Sequence, residues 1–125
     1  MAPPEVTVIA YEGIRIDLVA REVWVRGEPI RLVQRDFDLL TLLASHPNHA
    51  FTRAELLRDV WGDAGRREHE EIVTSQIVRL RRAIEEDPNA PRWLHTVAGV
   101  GYRFDPDGKA RPVAIRPLLG TACPS

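Results

Sequence analysis

Three guanidinium groups crowd together at Arg79, Arg81 and Arg82, in the run Ile77-Val78-Arg79-Leu80-Arg81-Arg82. A guanidinium is a planar fork of N–H donors that matches the paired acceptors of a phosphate or of a guanine edge. Such a cluster suits a polyanion that also presents a readable surface. Just upstream, Thr74, Ser75 and Val78 supply two hydroxyls and a branched apolar group, and Arg53 and Arg58 add cations in an earlier segment. The plainer reading of the 79–82 arginines is a solvated surface paired with Glu85, Glu86 and Asp87, which is what most charge runs are.

Residues for covalent or metal chemistry are not assembled. His46 and His49 are three apart, but their neighbours are Pro47 and Asn48, with no cysteine nearby. Ser75 has no positioned histidine, Cys123 lies two residues from the end, and Gly99 and Gly101 do not lead into a helix as a nucleotide loop would. The expectation is no catalytic residue, no cofactor and no metal.

Composition limits the partner further. With 17 basic and 18 acidic residues among 125, the net charge is -1, so no whole-molecule field draws in a polyanion. All but Lys109 of the basic residues are Arg, a bias that a GC-rich coding sequence explains equally well. The single cysteine excludes an internal disulfide. The start MAPPEVTV is unlike a signal peptide and no apolar run reaches membrane-spanning length, so a cytoplasmic protein with no membrane partner is expected.

The elements that must position these groups follow from periodicity. Alternation over 6–11, 14–19, 22–25 and 29–32, punctuated by Gly13 and Gly27-Glu28-Pro29, predicts a small antiparallel sheet with Val23, Val25, Ile30 and Leu32 on one face. Helical spacing begins near Gln34, with Phe37, Leu39, Leu40, Leu42 and Leu43, and stops at His46-Pro47-Asn48. Thr52 with Glu55 three residues on forms a capping box, and Phe51 is placed as its hydrophobic staple. The helix it opens carries Leu56, Leu57, Val60 and Trp61 and ends at Gly62.

A third helix is predicted from about Glu70 to Glu86, with Val73, Ile77, Leu80 and Ile84 as one apolar seam. If that seam faces the core, Glu71, Ser75, Val78, Arg79 and Arg82 face outward, with Thr74 and Arg81 on one flank. Asp87-Pro88 breaks the helix, and 93–97 and 101–104 read as a hairpin across Ala98-Gly99-Val100. Gly99 and Gly101 answer a need for positive φ and for close backbone approach. Trp61, Trp93, Tyr102 and Phe104 are expected in the core. Residues 107–125 carry no period and read as a flexible tail after a single domain at 1–106.

Four strands, three helices and a hairpin, with two helices joined by a short loop, make an α+β winged helix-turn-helix layout. The segments DFDLLTLLASHPNHAFTRAELLRDVWG (36–62) and VRLRRAIEEDPNAPRWLHTVAGVGYRF (78–104) resemble the DNA-binding effector domain of OmpR/PhoB-type response regulators. The resemblance covers roughly 12–104. It implies an N-terminal four-stranded sheet, a three-helix bundle and a C-terminal β-hairpin wing. It also implies transcription regulation through direct repeats in double-stranded DNA, usually as a head-to-tail homodimer.

On that resemblance the helix at 70–86 is the recognition helix in the major groove, with Arg79 reading a base. Arg81 and Arg82 then hold phosphates, with Ser75, Val78 and Thr74 beside them. Arg53, Arg58 and the amides of 52–55 face the backbone, because the first helix of such a pair crosses it. The wing at 93–104, with Thr96 and Gly99, lies on the minor groove or backbone. The family usually carries a receiver domain upstream, so this chain reads either as a regulator without one or as a piece of a longer protein. Glu71 and Ala98 stand where the family commonly has Arg, which implies weaker binding and a flatter salt dependence. Val33 replaces a Thr cap. The alternative is a degenerate winged helix that touches RNA polymerase or another regulator through the 62–69 loop with Arg66, Arg67 and Glu68.

Overall fold

The computed structural model describes residues 7–62 and 70–106. The expected tail and most of the expected polymerase-facing loop, residues 63–69, lie outside the described residues. The strands β1 (Val8–Tyr11), β2 (Ile14–Asp17), β3 (Glu22–Val25) and β4 (Glu28–Ile30) form an antiparallel meander in the order β1-β2-β3-β4. Register lines up Ile9, Ile16, Val23 and Ile30 across all four strands, with Ile14 opposite Val25. These apolar side chains share the face turned to the helices, while the adjacent row of Arg15, Trp24 and Pro29 takes the other face. A one-residue slip would exchange the two rows, so burial of one face fixes the pairing.

Helix α1 (Gln34–Ser45) buries Phe37, Leu39, Leu40, Leu43 and Ala44 in the core that it shares with that sheet, α2, α3 and the wing. Its N-cap is Val33, which makes no side-chain capping bond. Helix α2 (Arg53–Trp61) opens on the full capping box: Thr52 Oγ1 accepts from the Glu55 amide at 3.0 Å, and Glu55 Oε1 accepts from the Thr52 amide at 2.8 Å. Gly62 ends it with φ 61°. Helix α3 (Glu71–Ile84) turns Val73, Ile77, Leu80 and Ile84 fully inward, as the seam requires.

Two features depart from the sequence expectation. The helix stops at Ile84 rather than Glu86, because Glu85 turns to an extended backbone and its buried carboxylate accepts the amides of Arg92, Trp93 and Leu94 at 2.5, 2.9 and 2.8 Å. Glu85 therefore anchors the start of the wing and is not part of a solvated charge cluster. The wing, expected as two strands, has three: β5 (Phe51–Thr52) joins β6 (Leu94–Val97) and β7 (Gly101–Phe104) in the order β5-β7-β6. The extended N-cap backbone of α2 supplies β5 and pairs Phe51 with Tyr102 and Thr52 with Gly101.

Gly101 makes that third strand possible, since a Cβ there would lie 1.9 Å from the Phe51 carbonyl oxygen. Trp93, Tyr102 and Phe104 are buried and seal the wing onto the helices, as expected, and Leu94 is buried with them. Trp61 is only half-buried.

Candidate nucleic-acid interface

Opposite its buried seam, α3 presents Glu71, Ser75, Val78 and Arg82 to solvent. Steps of four, three and four residues at about 100° each keep them within an arc of about 60°. Val78 is 40% exposed, a branched apolar group in an otherwise polar stripe. Among the described residues, none of the four makes a side-chain hydrogen bond or an ion pair.

Arg79 lies on the edge of this stripe and does not extend freely from it. Its Nε donates to Asp36 Oδ2 and its Nη2 to Asp36 Oδ1, both at 3.0 Å. The Arg79 side chain keeps 52% of its surface while that of Asp36 keeps 6%. The chain of bonds continues inward, as Gln76 Nε2 donates to Asp36 Oδ1 at 3.2 Å and Trp61 Nε1 donates to Gln76 Oε1 at 3.1 Å. The Arg35 guanidinium lies 4.3 Å from the Trp61 ring centroid and donates to the Val60 carbonyl. The hydrogen bonds to Asp36 push the Arg79 pKa up, so this cation is permanent as well as oriented.

Arg81 also has partners within the fold. Its Nε donates to the Leu94 carbonyl at 3.1 Å and its Nη2 to Thr96 Oγ1 at 2.9 Å. Arg81, expected to hold a phosphate, and Thr96, expected on the minor groove or backbone, are thus joined to each other, and together they tie α3 to β6. Arg53 Nη1 approaches Thr74 Oγ1 at 3.5 Å, which places a cation of α2 beside α3. Arg58 is exposed and lies against Asp59 at 3.4 Å. The Thr52 and Glu55 amides, expected as phosphate donors, are occupied by the capping box.

At the wing tip Ala98, Gly99 and Val100 are exposed, Gly99 adopts φ 76°, and the Val100 amide closes the turn on the Val97 carbonyl at 2.9 Å. Sequence reasoning missed Asp36, Gln76 and Glu85. Asp36 carried a usable signal: it sits one and two helical turns ahead of Leu40 and Leu43, on the apolar side of α1, where a carboxylate demands a partner.

The apolar cleft between β1 and the end of α1, lined by Val8, Tyr11, Leu18 and Ala44, has a volume near 490 Å³ and lies away from α3. Among the described residues no group of His, Cys, Asp and Glu is arranged to hold a metal ion, and no helix is long and apolar enough to cross a membrane.

Residues 27–104 match the family described as "Transcriptional regulatory protein, C terminal". The chain is 41% identical over 98 residues to the DNA-binding response regulator MtrA of Mycolicibacterium smegmatis, covering 78% of this chain and 42% of that protein. It is 40% identical over 92 residues to the probable transcriptional regulator ycf27 of Cyanophora paradoxa, covering 73% of this chain and 38% of that one. The chain thus spans 38% to 42% of the length of these curated relatives.

Among solved structures, the Klebsiella pneumoniae RstA DNA-binding domain in complex with the RstA box superposes with a TM-score of 0.73 at 32% identity, covering 81% of this chain and 99% of that one. The Thermotoga maritima OmpR/PhoB homologue DrrB superposes with a TM-score of 0.72 at 34% identity, covering 79% of this chain and 44% of that one. With the four-stranded sheet, the helix pair and the wing all in place, the chain belongs to the OmpR/PhoB-type winged-helix family, the C-terminal DNA-binding domains of transcriptional regulators.

Proposed function

We propose that this chain regulates transcription by binding double-stranded DNA sequence-specifically, with α3 in the major groove and the β6–β7 turn on the minor groove or backbone. The observation that carries this reading is the outward stripe of α3, whose side chains have no hydrogen-bond or ion-pair partner among the described residues and which the oriented Arg79 fork flanks. An α-helix fits the major groove, where hydroxyl, methyl and guanidinium groups can meet base edges. Ser75, Val78 and Thr74 are placed for such contacts, and Arg82 is free to meet a base or a phosphate.

Arg79 approaches the duplex with half its surface available, while Asp36 limits its reach. Arg53 meets a phosphate, and Arg81 acts with Thr96 chiefly by holding the wing at a set angle to α3. Two copies arranged head to tail on a direct repeat, and contact with RNA polymerase through the α2–α3 connection, complete the proposed mode. The chain spans 99% of the RstA DNA-binding domain, which was solved in complex with the RstA box, and this supports the DNA reading.

The test is selection of bound duplexes from a random pool at two salt concentrations. Enrichment of a direct repeat spaced by about one helical turn, with affinity falling as salt rises, is the expected result. Recovery of no common sequence at either salt would overturn it.

A further inference from the structure

We infer that Glu71 is a base-reading residue that selects cytosine, an assignment that rests on the DNA-binding reading above. Glu71 opens α3, is exposed, and has no hydrogen bond or ion pair among the described residues. It shares the outward stripe with Ser75, Val78 and Arg82, and the N-terminal residues of a recognition helix are those that approach base edges. The cation at the far end of the stripe, Arg82, is eleven residues on, about 16 Å along the axis. That exceeds the screening length of about 10 Å at 0.1 M salt, so Arg82 does not neutralise Glu71. Of the nearer forks, Arg79 is committed to Asp36 and Arg81 to Leu94 and Thr96, while Arg53 reaches Thr74, one turn on from Glu71, and forms no ion pair with Glu71.

The N-terminal end of the stripe therefore brings to the groove a carboxylate with no ion-pair partner among the described residues. A carboxylate only accepts hydrogen bonds. Guanine presents the acceptors O6 and N7 there, thymine presents O4, and adenine sets N7 beside its amino group. In that groove cytosine alone offers an amino donor with no acceptor on the same base. The same charge that repels phosphates, and so lowers affinity for every duplex, then discriminates by excluding wrong bases as well as by welcoming the right one. An acid in the first turn also suits the helix dipole, but that effect changes stability and leaves base preference untouched.

The experiment compares the wild-type chain with Glu71→Ala and Glu71→Gln by selection from a random duplex pool. Dissociation constants are then measured on the winning duplex and its single-base variants, with urea midpoints monitoring the fold. The wild type is expected to enrich cytosine at one position per half-site and to lose about tenfold in affinity when that base is changed. Glu71→Ala is expected to flatten that one position to within about twofold while the others keep their preferences. Glu71→Gln is expected to move the preference toward adenine, whose N6 and N7 match an amide. Identical consensus sequences from all three proteins, with Glu71→Ala merely tighter on every duplex, would overturn the assignment and leave DNA binding intact. Failure of all three folded proteins to bind any duplex would overturn the DNA-binding reading, and the assignment with it.

Discussion

Arg79 and Asp36 meet fork to carboxylate across the α1–α3 interface, through two hydrogen bonds of 3.0 Å. The acid is buried and the base is half in solvent, so the pair is asymmetric: removing Arg79 strands a charge, whereas removing Asp36 frees one. Arg79→Ala should cost about 2 kcal/mol of stability, tempered by the donor that Gln76 still provides. Combining it with Asp36→Ala should cost less than the two changes summed. Urea midpoints of the four proteins measure this coupling, and strict additivity would contradict it. On DNA, Arg79→Ala should lose about 1–3 kcal/mol of binding if the fork reaches a base, and nothing measurable in a module that binds only protein.

Val33 and Thr52 cap their helices with almost the same backbone, φ -69° ψ 159° and φ -76° ψ 159°, yet only Thr52 has a side-chain oxygen that accepts a helix amide. Val33 is 64% exposed, so a hydroxyl there would displace nothing. Val33→Thr should raise stability by about 0.5–1 kcal/mol and Thr52→Ala should lower it by about 1 kcal/mol, both read from thermal or urea unfolding.

Glu85 satisfies three amides with one buried carboxylate. Truncation to Ala leaves those donors bare, at about 1–3 kcal/mol for each that water fails to reach, so a loss of about 3 kcal/mol or more is expected. Hydrogen exchange at the Trp93 and Leu94 amides should accelerate before that of α1. Unchanged protection there would show that the carboxylate is dispensable.

Gly99 and Gly101 stand two residues apart and should respond differently. A methyl at Gly99 meets no atom within 4 Å and only strains a backbone at φ +76°, a loss of about 1 kcal/mol. A methyl at Gly101 collides with the Phe51 carbonyl, so Gly101→Ala should separate β5 from β7 and cost at least about 3 kcal/mol. Paired thermal melts of the two variants decide it.

Glu55 and Tyr11 make stability depend on pH. The Thr52 amide holds the Glu55 carboxyl below its ordinary range, with the Thr52 hydroxyl bond and the His49 and Arg58 charges assisting. Its contribution is present above the usual carboxylate pKa and is lost as pH falls through the lowered value. Burial raises the Tyr11 phenol, which donates to the Ala44 carbonyl at 2.9 Å. Its contribution is complete below the ordinary tyrosine pKa of about 10 and is lost as pH climbs past it. Unfolding midpoints against pH should fall at both ends, and Tyr11→Phe should flatten the alkaline end alone.

Periodicity made most of the fold legible. The seam of Val73, Ile77, Leu80 and Ile84 and the capping box at Thr52 are local patterns, and both appear as read. What the sequence concealed is long-range and polar. Asp36 and Arg79 are 43 residues apart, and Glu85 reaches across a break to the next strand. No periodicity announces which acid a given arginine will meet. The outward stripe was legible because it is the complement of an apolar one, whereas the tethering of Arg79 and Arg81 depends on how α1 and β6 are brought alongside α3. β5 was hidden for a related reason: two residues that read as a helix cap gain a second role only once Gly101 lets another strand approach.

Arg81 turns a helix and a ribbon into one rigid caliper. Because its two donors clasp Leu94 and Thr96, the gap between α3 and the wing is set before any partner arrives. In the proposed mode, a duplex held by both jaws would have to conform to that opening, by its own curvature or groove width. Lengthening the tip at 98–100 would extend one jaw without altering the angle at the hinge.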